Sequence, residues 1–314
     1  MKKTLLTMMC GGLLLVSQST LAKQLVIGAP MNSFADKWQT YLQDSIRDFD
    51  AKHDDVVIKL SDANGDPARL LNDVETFIDQ NVDALLVVPT DPNIVKVIGR
   101  KAQKAKIPLI IVNRKPNDED MKYVTSYVGS DEIEGGHLQA EFIAKALDGK
   151  AGNALVLLGP LGQDAVTKRT QGNKDIFAKH DNIRIATEQE GKWERNRGLS
   201  IAENVLAANK TINVVVSNND EMAIGALLAS RKLGLKDEDI LIVGLDATPD
   251  ALEYLGKGLD ATVYQSAKGQ GEAGAEVAYL AAKGEKVPDV KWIPFELVTP
   301  DKKKSTKQNI NNQR

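Results

Sequence analysis

From residue 24 onward the chain alternates between two hydrophobic patterns. Short, nearly continuous apolar runs recur at QLVIGA from Gln24, DVVIKL from Asp55, ALLVV from Ala84 and PLIIV from Pro108. They continue at YVTSYVG from Tyr123, ALVLLG from Ala154, NVVVS from Asn213 and DILIVGL from Asp239. An apolar run without polar alternation marks a strand covered on both faces. Between these runs lie amphipathic stretches of helical length, among them residues 66–80, 93–106, 132–147 and 221–233. The alternation predicts the α/β class, with parallel sheets flanked by helices and right-handed crossovers. About ten such strands exceed what one compact sheet usually holds, so two α/β lobes are expected, with a boundary near Gly129-Ser130. Residues 301–314, with Lys302-Lys303-Lys304 and no apolar pattern, read as a solvated tail.

The first 22 residues follow another rule. Met1-Lys2-Lys3 is a basic start, Leu5 to Val16 is an apolar stretch, and Ser17 to Ala22 ends with small residues at the last position and two before it. That is the pattern of a secretory signal peptide cleaved after Ala22, and it predicts a periplasmic protein beginning at Lys23. The one cysteine of the 314 residues, Cys10, sits inside the signal. Met8-Met9 before it are larger than a lipid-attachment motif usually accepts, so the mature chain is expected to carry no thiol. Losing Lys2 and Lys3 takes the formal charge from −3 to −5. Such a balance excludes a nucleic-acid binder that works by bulk electrostatics. A hydrophobic fraction of 42% excludes a disordered chain.

In open α/β sheets, ligands bind beyond the carboxyl ends of the strands. Asn32, Asp36 and Trp38 follow the first strand, and Asn113-Arg114 follow PLIIV. A Gly-Pro-Leu-Gly-Gln-Asp loop leading to Arg169 follows ALVLLG. Asn218-Asn219-Asp220 follow NVVVS, Asp246 follows ILIVGL, and Gln265 follows ATVY. Carboxylates, amides and guanidiniums of this kind pair with adjacent hydroxyls, while Trp38 and Trp193 offer faces for the C–H surface of a ring. Each Asn or Asp taken alone also serves as an ordinary helix cap; the set at successive strand ends points to a polyhydroxylated ligand.

At VVSNNDEMAIGALLASRKLG and ILIVGLDATPDALEYLGKGLDATVYQ the sequence resembles the ribose/galactose class of periplasmic sugar-binding proteins. LSDANGDPARLLNDVETFIDQNVDALLVVPTDP resembles that family's second βα unit and third strand, and the similarity runs from QLVIGA to FELVT. The resemblance implies a type I periplasmic binding protein fold: two Rossmann-like lobes joined by three crossings, closing on a ligand like a hinged trap. It implies a first lobe over residues 23–129 plus 267–295 and a second over 131–265 plus 297–304, with a flexible tail over 305–314. The crossings then fall near Ser130, Gln265 and Glu296. Position by position, Asp36 and Trp38 match an acidic hydroxyl acceptor and an aromatic wall, and Asn113 and Arg114 match the pair after the fourth strand. Arg169 matches the ligand-clamping arginine, Trp193 the stacking aromatic, Asn219 the second asparagine of the NND segment, Asp246 the strand-end aspartate, and Gln265 the hinge amide.

Departures from the family pattern shape the expected ligand. Val88 stands where many relatives have a ligand asparagine, Leu245 replaces an aromatic of ribose binders, and Asn113 replaces their aspartate. These point away from ribose. Asp36 with Trp193 leans toward a hexose such as galactose or glucose, with inositol or a pentose still open. The implied role is non-enzymatic capture of a monosaccharide or cyclic polyol by a monomer, followed by delivery to a membrane ABC permease. Presentation of the closed form to a chemotaxis transducer stays open beside it. A sugar-responsive regulator would carry an N-terminal DNA-binding segment in place of an export signal, and a glycosidase would need room for a leaving group between Asp36 and Asp246.

Three other stretches resemble cofactor or metal motifs without completing one. Gly269 to Gly274 fits GxGxxG, yet only about 40 residues follow, too few for the rest of a mononucleotide-binding half. Asp62 to Asp66 starts like a calcium loop, but Pro67 occupies the position that needs glycine. His53, His137 and His180 lack a zinc spacing, and residues 147–154 lack the acidic ladder of a calcium loop. No cofactor and no metal are expected. Trp292, near the final strand, is expected to pack rather than to contact ligand.

Overall fold

The computed structural model describes residues 24–312, with side chains as far as Lys307; the predicted signal peptide and Cys10 lie outside the described residues. The first part of the chain lays down β1 (Leu25–Met31), α1 (Lys37–Lys52), β2 (Val56–Asp62), α2 (Pro67–Asp79) and β3 (Ala84–Val87). It continues with α3 (Ile94–Ala105), β4 (Leu109–Val112) and β5 (Ser126–Gly129). These strands form one parallel sheet in the order β2-β1-β3-β4-β5. β3 and β4 are buried at every position, as their unbroken apolar runs predict.

The chain then crosses into a second sheet. Here α4 (Glu132–Leu147), β6 (Gly152–Leu158), α5 (Asp164–Phe177), β7 (Ile183–Glu190) and α6 (Arg195–Ala208) alternate. β8 (Val214–Ser217), α7 (Asp220–Lys232), β9 (Leu241–Val243), α8 (Pro249–Tyr254) and β10 (Thr262–Gln265) follow. The order β7-β6-β8-β9 is parallel and extends to β10 through single bridges at Val243–Ala261 and Asp246–Tyr264. Each sheet carries a separate apolar cluster on either face, so the molecule has two three-layered lobes.

Two further crossings close the topology. After β10 the chain returns to the first lobe as α9 (Ala267–Ala282), which packs on α1, and as β11 (Val290–Trp292), which pairs with β5. It then passes back as β12 (Phe295–Val298), antiparallel to β10. Phe295, assigned from sequence to the first lobe, pairs with Gln265 and packs beside Leu245 and Val263, so it sits with the second lobe. The crossing falls at Ile293-Pro294, ahead of Glu296.

Two elements depart from the sequence expectation. β7 lies at the edge of its sheet, where Ile183 is its one buried position and Arg184, Ala186 and Gln189 are exposed, so it carries no continuous apolar run. Residues 303–312 form α10 (Lys303–Asn312) where a flexible tail was expected. Its first turns dock on the end of α8: Thr306 is buried, Lys303 Nζ donates to Leu255 O at 3.1 Å, and Lys307 pairs with Glu253. Residues 303, 306 and 307 share one helix face, which lets a polar segment find tertiary partners.

The GxGxxG stretch lies inside α9 and serves packing. A Cβ on Gly271 would stand 2.6 Å from Leu42 O in α1, and one on Gly274 would stand 2.7 Å from Val112 Cγ2 in β4. The calcium-like segment is used for turn chemistry: Asp62 Oδ1 accepts from Phe34 N at 3.1 Å and Asn64 N at 2.8 Å, while Asp66 caps α2. Replacing Gly271 with alanine should therefore force α9 off α1. The expected cost is about 1–3 kcal/mol of stability, read as a lower urea midpoint; an unchanged midpoint would contradict the close approach.

Candidate functional site

The carboxyl ends of both sheets face a cleft at the crossings. All nine residues singled out from sequence line one cavity there, together with Gln39, Glu132, Gln163 and Ala165. From the first lobe, Asp36 is the N-cap of α1: its Oδ1 accepts from Gln39 N at 3.1 Å and its Oδ2 from Gln39 Nε2 at 2.9 Å. Trp38, the second residue of the helix, donates through Nε1 to Gln265 O at 3.2 Å. Asn113 donates to Gln270 Oε1 at 3.1 Å. Arg114 donates to Pro89 O at 3.3 Å and Thr90 O at 3.0 Å, tying down the loop after β3, and stands 4.0 Å from Asp36 Oδ2. Burial pulls the Arg114 guanidinium below its ordinary range, with Asp36 and Asp91 opposing the shift.

The second lobe contributes a buried polar cluster around Arg169 on α5. Its Nε donates to Glu132 Oε2 at 2.6 Å, Nη1 to Asn218 O at 2.6 Å, and Nη2 to Gln265 Oε1 at 3.3 Å. Its guanidinium also lies 5.8 Å from the ring centres of both Trp193 and Phe295. Burial alone would lower Arg169, but the Glu132 carboxylate overrides it and holds the guanidinium above its ordinary value. Trp193 is held from two sides: its Nε1 donates to Gln163 Oε1 at 3.1 Å, and its carbonyl accepts from Asn219 Nδ2 at 3.2 Å. Gly159 leaves room for the indole, since any Cβ there would run into the ring.

Asp246 is the exception in this cluster. It is 6% exposed, yet among the described residues no hydrogen bond reaches its carboxylate. Burial pushes its pKa well above the usual carboxylate range, and Asp220 adds to the rise while Arg169 opposes it. Asp220, pushed up to about 6 chiefly by burial, is fully committed: Thr262 Oγ1 donates to it at 2.7 Å and Thr248 N at 2.8 Å. Asp246 thus opens on the cleft with no protein partner for its carboxylate among the described residues, whereas Asp220 is a structural tie.

Strain concentrates at the same place. Asn113 (φ 68°), Lys192 (φ 56°), Trp193 (φ 68°), Asp246 (φ 129°) and Ala247 (φ 51°) all adopt positive φ. Such conformations cost about 1–3 kcal/mol each and persist where surrounding structure over-determines them. The helix-cap reading of the strand-end residues is correct for Asp36 and Asn219, whose oxygens receive Gln39 N and Met222 N, and both line the cavity as well. Val88 is fully buried in the first-lobe core, and Trp292 packs edge-on against Tyr127 at 5.8 Å. Glu132 was not singled out from sequence, because nothing local separates it from Glu134 two residues on, which is exposed.

The chain matches the periplasmic binding protein domain over residues 27–286 and belongs to that family. A putative rhizopine-binding protein of Rhizobium meliloti is 39% identical over 285 residues, which is 90% of this chain and 92% of the relative. The ribose import binding protein of Bacillus subtilis is 32% identical over 90% of each chain. Among solved structures, an ABC transporter solute binding protein from Bacillus halodurans with bound myo-inositol is 40% identical. It superposes with a TM-score of 0.87, covering 91% of this chain and 98% of that one. The two-lobed fold is therefore the type I periplasmic binding protein fold, and these relatives are binding proteins rather than enzymes.

Glu132 and Arg169 form an ion pair with side-chain exposures of only 2% and 5%. Glu132→Ala should strand the guanidinium and cost about 3–5 kcal/mol, measured by chemical denaturation without ligand. A cost under about 1 kcal/mol would mean that Asn218 and Gln265 suffice to hold Arg169.

Proposed function

We propose that this protein is the substrate-binding component of an ABC importer, and that it captures a cyclic polyol of the inositol class between its lobes. The observation that carries the reading is the convergence of the nine residues on one cavity at the crossings. Two indoles from opposite lobes supply the ring faces, and Asp36, Arg114, Arg169 and Asp246 supply charged groups for adjacent hydroxyls. Sequence alone leaned toward galactose or glucose. The 40% identity to the myo-inositol-bound protein, set against 32% to the ribose import protein, supports moving a cyclitol ahead of the hexoses.

Capture is non-covalent. Contacts available only when both lobes reach the ligand favour the closed form, and that form is what a permease would receive. Export through a signal peptide cleaved after Ala22, and action in the periplasm as a monomer, belong to the same proposal.

Calorimetry with myo-inositol, D-galactose, D-glucose and D-ribose tests the ligand class. Myo-inositol is expected to bind tightest, and Trp193→Ala to weaken it about tenfold or more by removing one ring face. If none of the four binds, the site assignment is wrong.

The raised Asp246 adds a pH signature. Hydroxyls donating to the carboxylate favour its charged form, so its pKa falls on binding and a proton is released. Affinity should rise with pH through the raised pKa of the free protein and level off above it. Titrations across the acid-to-neutral range in buffers of different ionisation enthalpy measure this release. Proton uptake would show that Asp246 enters the complex as a neutral donor.

A further inference from the structure

Asn113 meets the cavity through an amide whose two ends are not equivalent. Its backbone is pinned at φ 68°: Asn113 N donates to Val128 O at 2.9 Å, and Tyr127 Oη donates to Asn113 O at 2.9 Å. Its side-chain Nδ2 donates to Gln270 Oε1 at 3.1 Å, and Gln270 Nε2 donates in turn to Ser130 Oγ at 3.0 Å. Gln270 is fully buried, and Ser130 is 1% exposed. Among the described residues no hydrogen bond reaches Asn113 Oδ1, so the oxygen is the end of the amide left for the cavity that Asn113 lines. Gln270 belongs to the Gly269-Gln270-Gly271 stretch of α9, where Gly271 lets the helix close on α1. Its N–H donates to Ser266 O at 2.9 Å in the first turn after the second crossing, and Ser130 lies on the first crossing.

We propose that Gln270 is a positioning residue for ligand capture: it holds the Asn113 amide by its NH2 group and so presents the amide oxygen to the ligand. This rests on the reading of the cleft as a polyol site, though not on the choice of a cyclitol. An amide held on neither side can turn over and offer either its donors or its acceptor. A polyol hydroxyl has a single hydrogen to donate. A fixed acceptor at Asn113 commits that hydrogen and leaves the hydroxyl oxygen to accept from a guanidinium, of which the cavity has two, on Arg114 and Arg169. The relay Ser130–Gln270–Asn113 therefore sets the direction of hydrogen bonding along one side of the ring. Buried bonds in a chain also polarise one another, so each is stronger than it would be alone. Gln270 does this without touching ligand, from a helix whose close packing on α1 keeps its side chain in place.

A double-mutant cycle of Gln270→Met and Asn113→Gly tests it, read by calorimetry with whichever of myo-inositol, D-galactose, D-glucose and D-ribose binds the wild type tightest. Methionine fills the same space without either hydrogen bond, and glycine accepts the positive φ while removing the amide. Gln270→Met is expected to weaken binding about fivefold or more in the wild-type background, and by less than about twofold beside Asn113→Gly. An equal loss in both backgrounds overturns the inference, because Gln270 then acts by a route other than the Asn113 amide. No loss in the wild-type background overturns it as well. Gln270→Glu reads the sense of the relay. At about pH 8 a carboxylate there only accepts, so it holds the Asn113 amide as the glutamine does and is expected to keep affinity within about threefold. A fall as large as that of Gln270→Met would mean that Asn113 turns its NH2 group to the ligand, which overturns the assignment. Should Gln270→Met fail to fold, Ser130→Ala, which releases the other end of Gln270, carries the same cycle with the same outcomes. If none of the four compounds binds the wild type, the polyol reading falls and this inference with it; if a hexose or ribose binds tightest, only the choice of a cyclitol falls.

Discussion

The cleft depends on one buried guanidinium. Arg169 is anchored by Glu132, two residues beyond the first crossing at Ser130, and by Gln265, the last residue before the second. Its face also lies over the ring of Phe295, the first residue after the third. One side chain thus touches all three segments that join the lobes. In a region of low dielectric these contacts are strong, and each is costly to break singly because a charge or a polar atom would be left without a partner. The crossings and the cavity are consequently one polar network. A ligand that engages Arg169 would touch directly the residues that join the two lobes.

Around that anchor, the groups that end strands and start helices serve two purposes. Asp36 and Asn219 cap helices and line the cavity with the same side chains. A cap fixes its side chain because the helix N-terminus supplies the donors, so the cavity wall inherits the rigidity of the helix. Asp246 follows a different logic. Its backbone is strained, and its carboxylate opens on the cleft with no hydrogen-bond partner among the described residues. Structures retain such groups where a partner arrives from outside.

How much was legible in the sequence differs by kind of residue. Strands buried on both faces announced themselves, since β3, β4 and β8 can only be continuous apolar runs. Edge strand β7 did not, because half of it faces solvent and reads as polar. The lysine-rich end looked like a tail because its partners, Leu255 O and Glu253, are about fifty residues away and no local pattern records them. The nine cavity residues were found because they resemble family positions at strand ends, where the fold forces ligand groups to stand. Glu132 escaped because what distinguishes it from Glu134 is a partner on another helix.

By itself, then, the sequence determined the α/β class, the strand-and-helix order through most of the chain, and the residue types gathered at the mouth of the sheets. These are consequences of local periodicity and of the rule that places ligands beyond strand ends. Only the tertiary structure decided which charges are already paired. Asp36, Glu132, Asp220 and Asp246 are all acids near a strand end or a helix start, yet one is a cap, one an ion-pair partner, one a structural tie and one unpartnered. That distinction arises from distances between segments far apart in the chain, and a linear pattern of residues carries no record of them.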